Sequence, residues 1–234
     1  MLLLMNVGNT NTQLADVDDC GLIRNIRYIR TQTLDPALIP VDNPIAVATV
    51  VPEIKASLPP ENVFYVEGAQ RCAGVDFSHV DVTTLGADRI ANAISLAADC
   101  PLPAMVIDFG TAITFEAVDA DRCFRGGAIM PGRKLLRRSL AQWTAQLPDL
   151  PWSDHAPDQI GVNTVSCMKL GIDRGVIGAV RETIAVIREQ IGGNPALIAV
   201  GGDSPFFLKA MPELTAGSED FTLRGIRLAY EQRQ

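Results

Sequence analysis

The hydrophobic pattern opens with LLLMNVGNTNTQLADVDD, residues 2–19, where an apolar run meets Asn6, turns at Gly-Asn-Thr and leaves in alternation. That pattern predicts a strand, a tight turn and a second strand. LIRNIRYIRT (22–31) alternates as a third strand, PIAVATVVP (44–52) is a continuous apolar strand, and NVFYVEG (62–68) predicts another. The period then changes. GADRIANAISLAADC (86–100) places Ile90, Ala93, Ile94 and Ala97 on one helical face, and Pro101 and Pro103 end it. AMVIDFGTAITFEAVDAD (104–121) repeats the strand, turn and strand, and CFRGGAIMPG follows. Helices are predicted over 133–145 and from Thr164 to Ile191; beyond Gly192, Gly193 and Pro195, ALIAVGGDS predicts a buried strand ending in a glycine turn.

Residues 2–19 and 104–121 read as one device used twice. An offset of 102 residues pairs Asn6 with Asp108, Gly8 with Gly110, Asn9 with Thr111 and Thr12 with Thr114. The expectation is an α/β chain of two duplicated ribonuclease H-like domains with mixed five-stranded sheets, residues 1–103 and 104–234.

Composition adds exclusions. The 234 residues are 47% hydrophobic and 20% charged, as in folded globular proteins, and the net charge of −7 argues against nucleic acid or an anionic membrane as partner. The apolar start MLLLM is too short for a signal peptide or a membrane span, so the expected location is cytoplasmic. Five scattered cysteines and two histidines give no zinc-ligand spacing, and the thiols are expected to be reduced packing residues. His155 falls in a Pro-rich segment and reads as a solvated loop residue.

Three glycine-containing turns have the composition of phosphate sites, whose backbone N–H groups and hydroxyls hold oxygens without a basic surface: GNT (8–10), GT (110–111) and VGGDS (200–204). Each also fits an ordinary tight turn. Asp88 and Arg89 open the helix at Gly86, placing a carboxylate able to accept a hydroxyl proton beside a guanidinium able to hold an anion. An Asp complementing the helix dipole is the structural alternative. RKLLRR (133–138) reads as the solvated face of a helix, and Gly171, Gly175 and Gly178 as a close-packing or subunit face.

Taken together, NVGNTNT, GADRIANA, DFGTAITFE, GGAIMPG, TAQLP, GVNT and VGGD, in that order, resemble the type III pantothenate kinases of the acetate and sugar kinase and actin superfamily. The resemblance implies an actin-like ATPase architecture with a central cleft and phosphoryl transfer from ATP to the primary hydroxyl of pantothenate, toward coenzyme A. It makes Asp88 the general base and assigns Gly86, Ala87, Arg89 and Thr164 to the pantothenate pocket, completed at a homodimer interface. Asn6, Val7, Gly8, Asn9, Thr10, Asn11, Thr12, Gln13 and Thr111 would contact ATP. Asp108 would bind a monovalent cation, K⁺ or NH₄⁺, and Mg²⁺ would arrive with the nucleotide.

Two departures bear on function. Asn6 stands where the family has Asp, and an amide supplies no negative charge to a cation. Losing a unit charge at about 4 Å costs up to ~4 kcal/mol at an effective dielectric near 20. Compensation by water and other ligands leaves a rate loss of ~10- to 1000-fold. Before GADR, where the family has an aromatic residue and Asn-Pro, the chain has His79, Asp81 and Val82. A catalytically weakened accessory protein and a kinase for another small hydroxyl acceptor remain the alternative readings.

Overall fold

The computed structural model describes residues 1–39, 42–58 and 61–233. Strands β1 (Leu2–Val7), β2 (Asn11–Val17), β3 (Ile23–Arg30), β4 (Ile45–Thr49) and β5 (Val63–Tyr65) form one five-stranded sheet in the order β3-β2-β1-β4-β5. Strands β8 (Ala104–Phe109), β9 (Ala112–Val118), β10 (Phe124–Pro131), β11 (Ala196–Val200) and β12 (Thr215–Ala216) form a second, in the order β10-β9-β8-β11-β12. The two orders are the same, as the repeat predicts. Between the sheets in sequence lies a small hairpin, β6 (Arg71–Cys72) and β7 (Val75–Asp76).

In the first sheet β1 runs antiparallel to β2 and parallel to β4, and β4 runs parallel to β5. In the second, β11 runs parallel to both β8 and β12. The central strands β1 and β8 are apolar throughout their buried length, because both of their faces are covered. One core gathers Met5, Val7, Leu14, Ile45 and Val47; another gathers Met105, Ile107, Phe109, Ile113 and Phe115 with Val176, Val180 and Phe207.

Among the described residues the α-helices are α1 (Pro52–Ser57), α2 (Ala87–Asp99), α3 (Arg133–Trp143), α4 (Thr164–Ile191), α5 (Ser204–Ala210) and α6 (Phe221–Glu231). The span of α4 is the predicted one. Asn163 accepts from the Ser166 N–H, Ser166 bonds back to the Asn163 N–H, and Gly192 at φ 70° ends the helix. The run predicted as a strand over 44–52 stops at Thr49, since Pro52 occupies the first position of α1.

The compact units cross the boundary expected at residue 103. Met1–Leu102 groups with Val118–Arg125 and Ser218–Gln234, and Pro103–Ala117 groups with Gly126–Gly217. In the first unit α6 packs on α2 and β1. Ser95 Oγ donates to the Phe221 carbonyl at 2.5 Å, and Thr222 Oγ1 donates to Asn92 Oδ1 at 2.7 Å. Arg122 donates to the carbonyls of Gly74 and Ala97, fastening the tip between β9 and β10 to this unit. A Cβ on Gly225 would overlap the Ala91 carbonyl, so only glycine permits the approach of α6 to α2. Gly225→Ala is expected to lower stability by ~1–3 kcal/mol in denaturant unfolding; a midpoint equal to that of wild type would contradict this packing.

Candidate active site

The residues that end β1 lie at the carboxyl edge of the first sheet. Asn6 is half-buried and in register with Gln13 on β2 and Ala48 on β4. The Gly8 N–H donates to the Asn11 carbonyl at 3.1 Å, closing the turn. Thr31 Oγ1 donates to the Gly8 carbonyl at 2.7 Å and lies 3.0 Å from Thr12 Oγ1. Gln13 Nε2 donates to Tyr28 Oη and to the Glu219 carbonyl, at 2.9 and 2.8 Å. The side chains of Thr12 and Gln13 thus fix the turn from inside, while Asn9, Thr10 and Asn11 are exposed. Within residues 6–13 the split is between buttress and surface.

Asp88 lies in the first turn of α2, with Gly86 as N-cap and Ala87 buried. Its Oδ1 accepts from the Arg89 N–H at 2.8 Å. Burial pushes the Asp88 carboxyl above the ordinary 3.8, against the opposing pull of the Arg89 N–H and guanidinium. Val50 joins this helix start to the end of β1: its N–H donates to the Val7 carbonyl at 3.2 Å, and a Cβ built on Gly86 would sit 3.6 Å from Val50 Cγ1. The structure therefore brings the strand end at Asn6–Val7 and the GADR segment together. Upstream, Asp81 Oδ1 accepts from the Thr83 N–H and hydroxyl at 3.0 and 2.6 Å, and His79 is exposed.

In the second unit Asp108 is half-buried at the end of β8, in register with Val200. Gly201, at φ 89°, abuts its Oδ1 so closely that a Cβ would collide, which is why glycine is needed there. The Gly110 N–H donates to the Ala112 carbonyl at 3.1 Å, the Gly132 N–H to the Thr111 carbonyl at 2.9 Å, and the Asp203 N–H to the Phe109 carbonyl at 3.0 Å. Gly110 and Thr111 face solvent. Asp108, Thr111, Gly201 and Asp203 thus share one edge of the sheet. Thr164 is elsewhere in this unit, exposed at the first position of α4.

The RKLLRR segment corrects an expectation. Arg133 and Arg137 are 1% and 2% exposed, on the inner face of α3. Arg133 donates to Asp173 Oδ1 at 3.1 Å, Asp203 Oδ1 at 2.8 Å and the Ser153 carbonyl at 2.6 Å. Arg137 donates to both Asp173 oxygens, at 2.9 and 3.0 Å, and to the Pro151 carbonyl at 2.7 Å. Trp152 lies against both guanidiniums, and Phe206 stacks on that of Arg133 at 3.3 Å. Desolvation pushes the Asp203 carboxyl up to about 6, outweighing Arg133, which is shared with Asp173. The i,i+4 spacing of the two arginines, with Asp173 between Ile172 and Val176, is the signal that reveals this cluster. His155, by contrast, is the exposed loop residue expected, bonded to Asp154.

Beside α4, a groove of about 650 Å³ runs over Gly171 and Gly175 to Met130, Leu136, Leu140 and Cys167. Among the described residues nothing lies within 4 Å of a Cβ built on Gly171, Gly175 or Gly178. The glycines open this face rather than seat another helix of the same chain.

Comparison with known proteins follows the same lines. The sequence model of the type III pantothenate kinase family matches residues 2–186. The type III pantothenate kinase of Caulobacter vibrioides is 31% identical over 254 residues, covering 99% of this chain and 97% of the relative. That of Anaeromyxobacter sp. strain K is 29% identical over the whole of both chains. Among solved structures, a Campylobacter jejuni protein described as a Baf family transcriptional activator superposes with a TM-score of 0.70 at 18% identity, covering 98% of each chain. A 2-dehydro-3-deoxygalactonokinase-like protein from Sinorhizobium meliloti gives 0.61 at 13% identity, covering 99% of this chain and 96% of that one. At those identities the structures establish the fold, which is that of the actin-like ATPases and sugar kinases.

Asp173→Ala is expected to strip two buried cations of their shared carboxylate and to destabilise the protein by ~3–5 kcal/mol in calorimetry or denaturant unfolding. A loss below ~1 kcal/mol would show that the cluster is hydrated in solution.

Proposed function

We propose that this protein, which belongs to the type III pantothenate kinase family, transfers the γ-phosphoryl group of ATP to the primary hydroxyl of pantothenate, yielding ADP and 4′-phosphopantothenate in coenzyme A synthesis. The observation that carries the reading is the Asp88 carboxylate, half-buried and raised in pKa, on a helix start whose Gly86 lies beside Val50, the residue that bonds to the Val7 carbonyl. Such a group is a weak acid held ready to accept a proton.

Asp88 takes the proton of the acceptor hydroxyl as its oxygen forms a bond to the γ-phosphorus. The bond from that phosphorus to the β–γ bridging oxygen breaks, and its electron pair leaves with ADP. Arg89, with Gly86, Ala87 and Thr164, holds pantothenate and its carboxylate. Asn6, Val7, Gly8, Asn9, Thr10 and Asn11, with Thr111, receive ATP through turn N–H groups and side-chain polar atoms, while Thr12 and Gln13 act on that turn from within.

The donor set fits a divalent ion carried mainly by the nucleotide: no group of three or more His, Cys, Asp or Glu stands ready to hold a metal among the described residues. Mg²⁺ bound to the phosphates would neutralise charge there, and Asn6 would offer a neutral side-chain oxygen where a carboxylate would bring charge. Asp108 is the carboxylate that would hold K⁺ or NH₄⁺. The groove beside α4 suits a second copy of the chain as its cover, in a cytoplasmic homodimer. No helix of the described residues is long and apolar enough to cross a membrane.

Asp88→Asn is expected to lower kcat by ~10²- to 10⁴-fold in an ADP-release assay with pantothenate as acceptor; an undiminished rate would remove Asp88 as base. Because the base must be ionised and its folded pKa is raised, kcat/KM should fall with acid along a limb whose midpoint lies above 3.8. A limb at or below that value would contradict the burial of Asp88. Asn6→Asp is expected to raise turnover, by ~10-fold or more, and a slower variant would show that the amide is not a handicap.

A further inference from the structure

The buried arginines of α3 touch two stretches of chain, the turn after β11 and the loop that precedes α4. Toward the nucleotide side, Arg133 grips Asp203, whose N–H holds the Phe109 carbonyl next to Asp108 and which follows the glycine pair after β11. Toward the acceptor side, Arg133 holds the Ser153 carbonyl and Arg137 the Pro151 carbonyl, on the segment that leads through residues 154–163 to Thr164. That segment has no helix or strand of its own between Trp143 and Thr164. Its backbone is tied down by these arginines and by Arg174, which donates to the Pro157 carbonyl at 2.6 Å. Trp152 closes over both guanidiniums.

Charge is a costly way to fill this space if filling is all that is needed. Apolar residues of similar volume commonly stabilise a protein as well as a buried ion pair does, or better. What apolar side chains lack is the ability to hold carbonyls and a carboxylate at fixed directions. The two arginines also divide the work. Arg133 reaches both Asp203 and the loop, whereas Arg137 bonds to Asp173 and the loop.

We propose that Arg133 and Arg137 are positioning residues for phosphoryl transfer: Arg133 sets both the Gly201–Asp203 turn for the nucleotide and the Pro151–Ser153 loop for the acceptor, and Arg137 sets the loop alone. The proposal rests on the kinase reading for its assignment of the two sides. Neither arginine needs to touch a substrate, and each acts through the backbone or carboxylate it holds.

The test is steady-state kinetics of Arg133→Lys, Arg137→Lys and Asp203→Asn with ATP and pantothenate varied in turn, alongside calorimetric binding of a non-hydrolysable ATP analogue. Lysine keeps the charge but loses the planar fork, so each arginine variant retains its cation while losing donors. Arg133→Lys is expected to raise KM for both substrates by ~5-fold or more, Arg137→Lys to raise it for pantothenate alone, and Asp203→Asn for ATP alone. Analogue affinity should fall in Arg133→Lys and Asp203→Asn and hold in Arg137→Lys. Equal effects of the two lysine variants on both constants, or unmoved constants with only kcat reduced, overturn the proposal. Should Arg133→Lys fail to fold, Asp203→Asn against Arg137→Lys decides it by the same split in analogue affinity. Wild-type protein that binds the analogue but leaves pantothenate unphosphorylated overturns the acceptor assignment, while the calorimetric pattern still decides the nucleotide half.

Discussion

A strand buried on both faces admits a polar side chain only where the sheet runs out, and that constraint organises this chain. β1 and β8 are the middle strands of their sheets and are apolar until Asn6 and Asp108. Their parallel neighbours β4 and β11 end at the same edge, so the segments that follow them, Val50 and Gly201–Asp203, arrive beside those two residues. In open α/β sheets ligands settle outside the carboxyl ends of strands for this reason: the edge is where backbone groups and polar side chains are released from the core. The duplicated order of strands repeats the arrangement once in each unit.

What each unit adds to that edge differs. In the first, α2 begins beside the end of β1 and presents a carboxylate whose burial raises its affinity for a proton. In the second, the edge is stiffened from below, by Gly132 under the Gly110–Thr111 turn and by a guanidinium under Asp203. Phosphoryl transfer asks chiefly for alignment and charge neutralisation, with one group to receive a proton.

Much of this was legible in the residues. The offset that pairs Asn6 with Asp108 anticipated two sheets of like order, and the span and terminating glycine of Thr164–Ile191 were readable because helix ends are locally encoded. The membership of 118–125 and 218–234 in the first unit was not, since it depends on Arg122 reaching Gly74 and on Gly225 meeting Ala91, contacts far apart in sequence. α6 escaped notice because its buried face, Phe221, Thr222, Gly225, Ile226 and Ala229, includes a threonine and a glycine that dilute the apolar period. RKLLRR misled because density of charge usually means solvent, and the partners that make burial tolerable lie on α4 and after β11. At the site, the composition of residues 6–13 could not separate Thr12 and Gln13, which brace the turn, from Asn9, Thr10 and Asn11, which face outward; the partners that decide it, Thr31, Tyr28 and Glu219, are supplied by the fold.

Family membership points to one reaction, and its product is directly observable. Phosphorus NMR of the purified protein with ATP, Mg²⁺, K⁺ and pantothenate follows every phosphorus atom at once. Phosphoryl transfer to pantothenate gives a new phosphomonoester resonance that grows in step with ADP and only when pantothenate is present. Unchanged ATP, or ADP accompanied by inorganic phosphate alone, would contradict it.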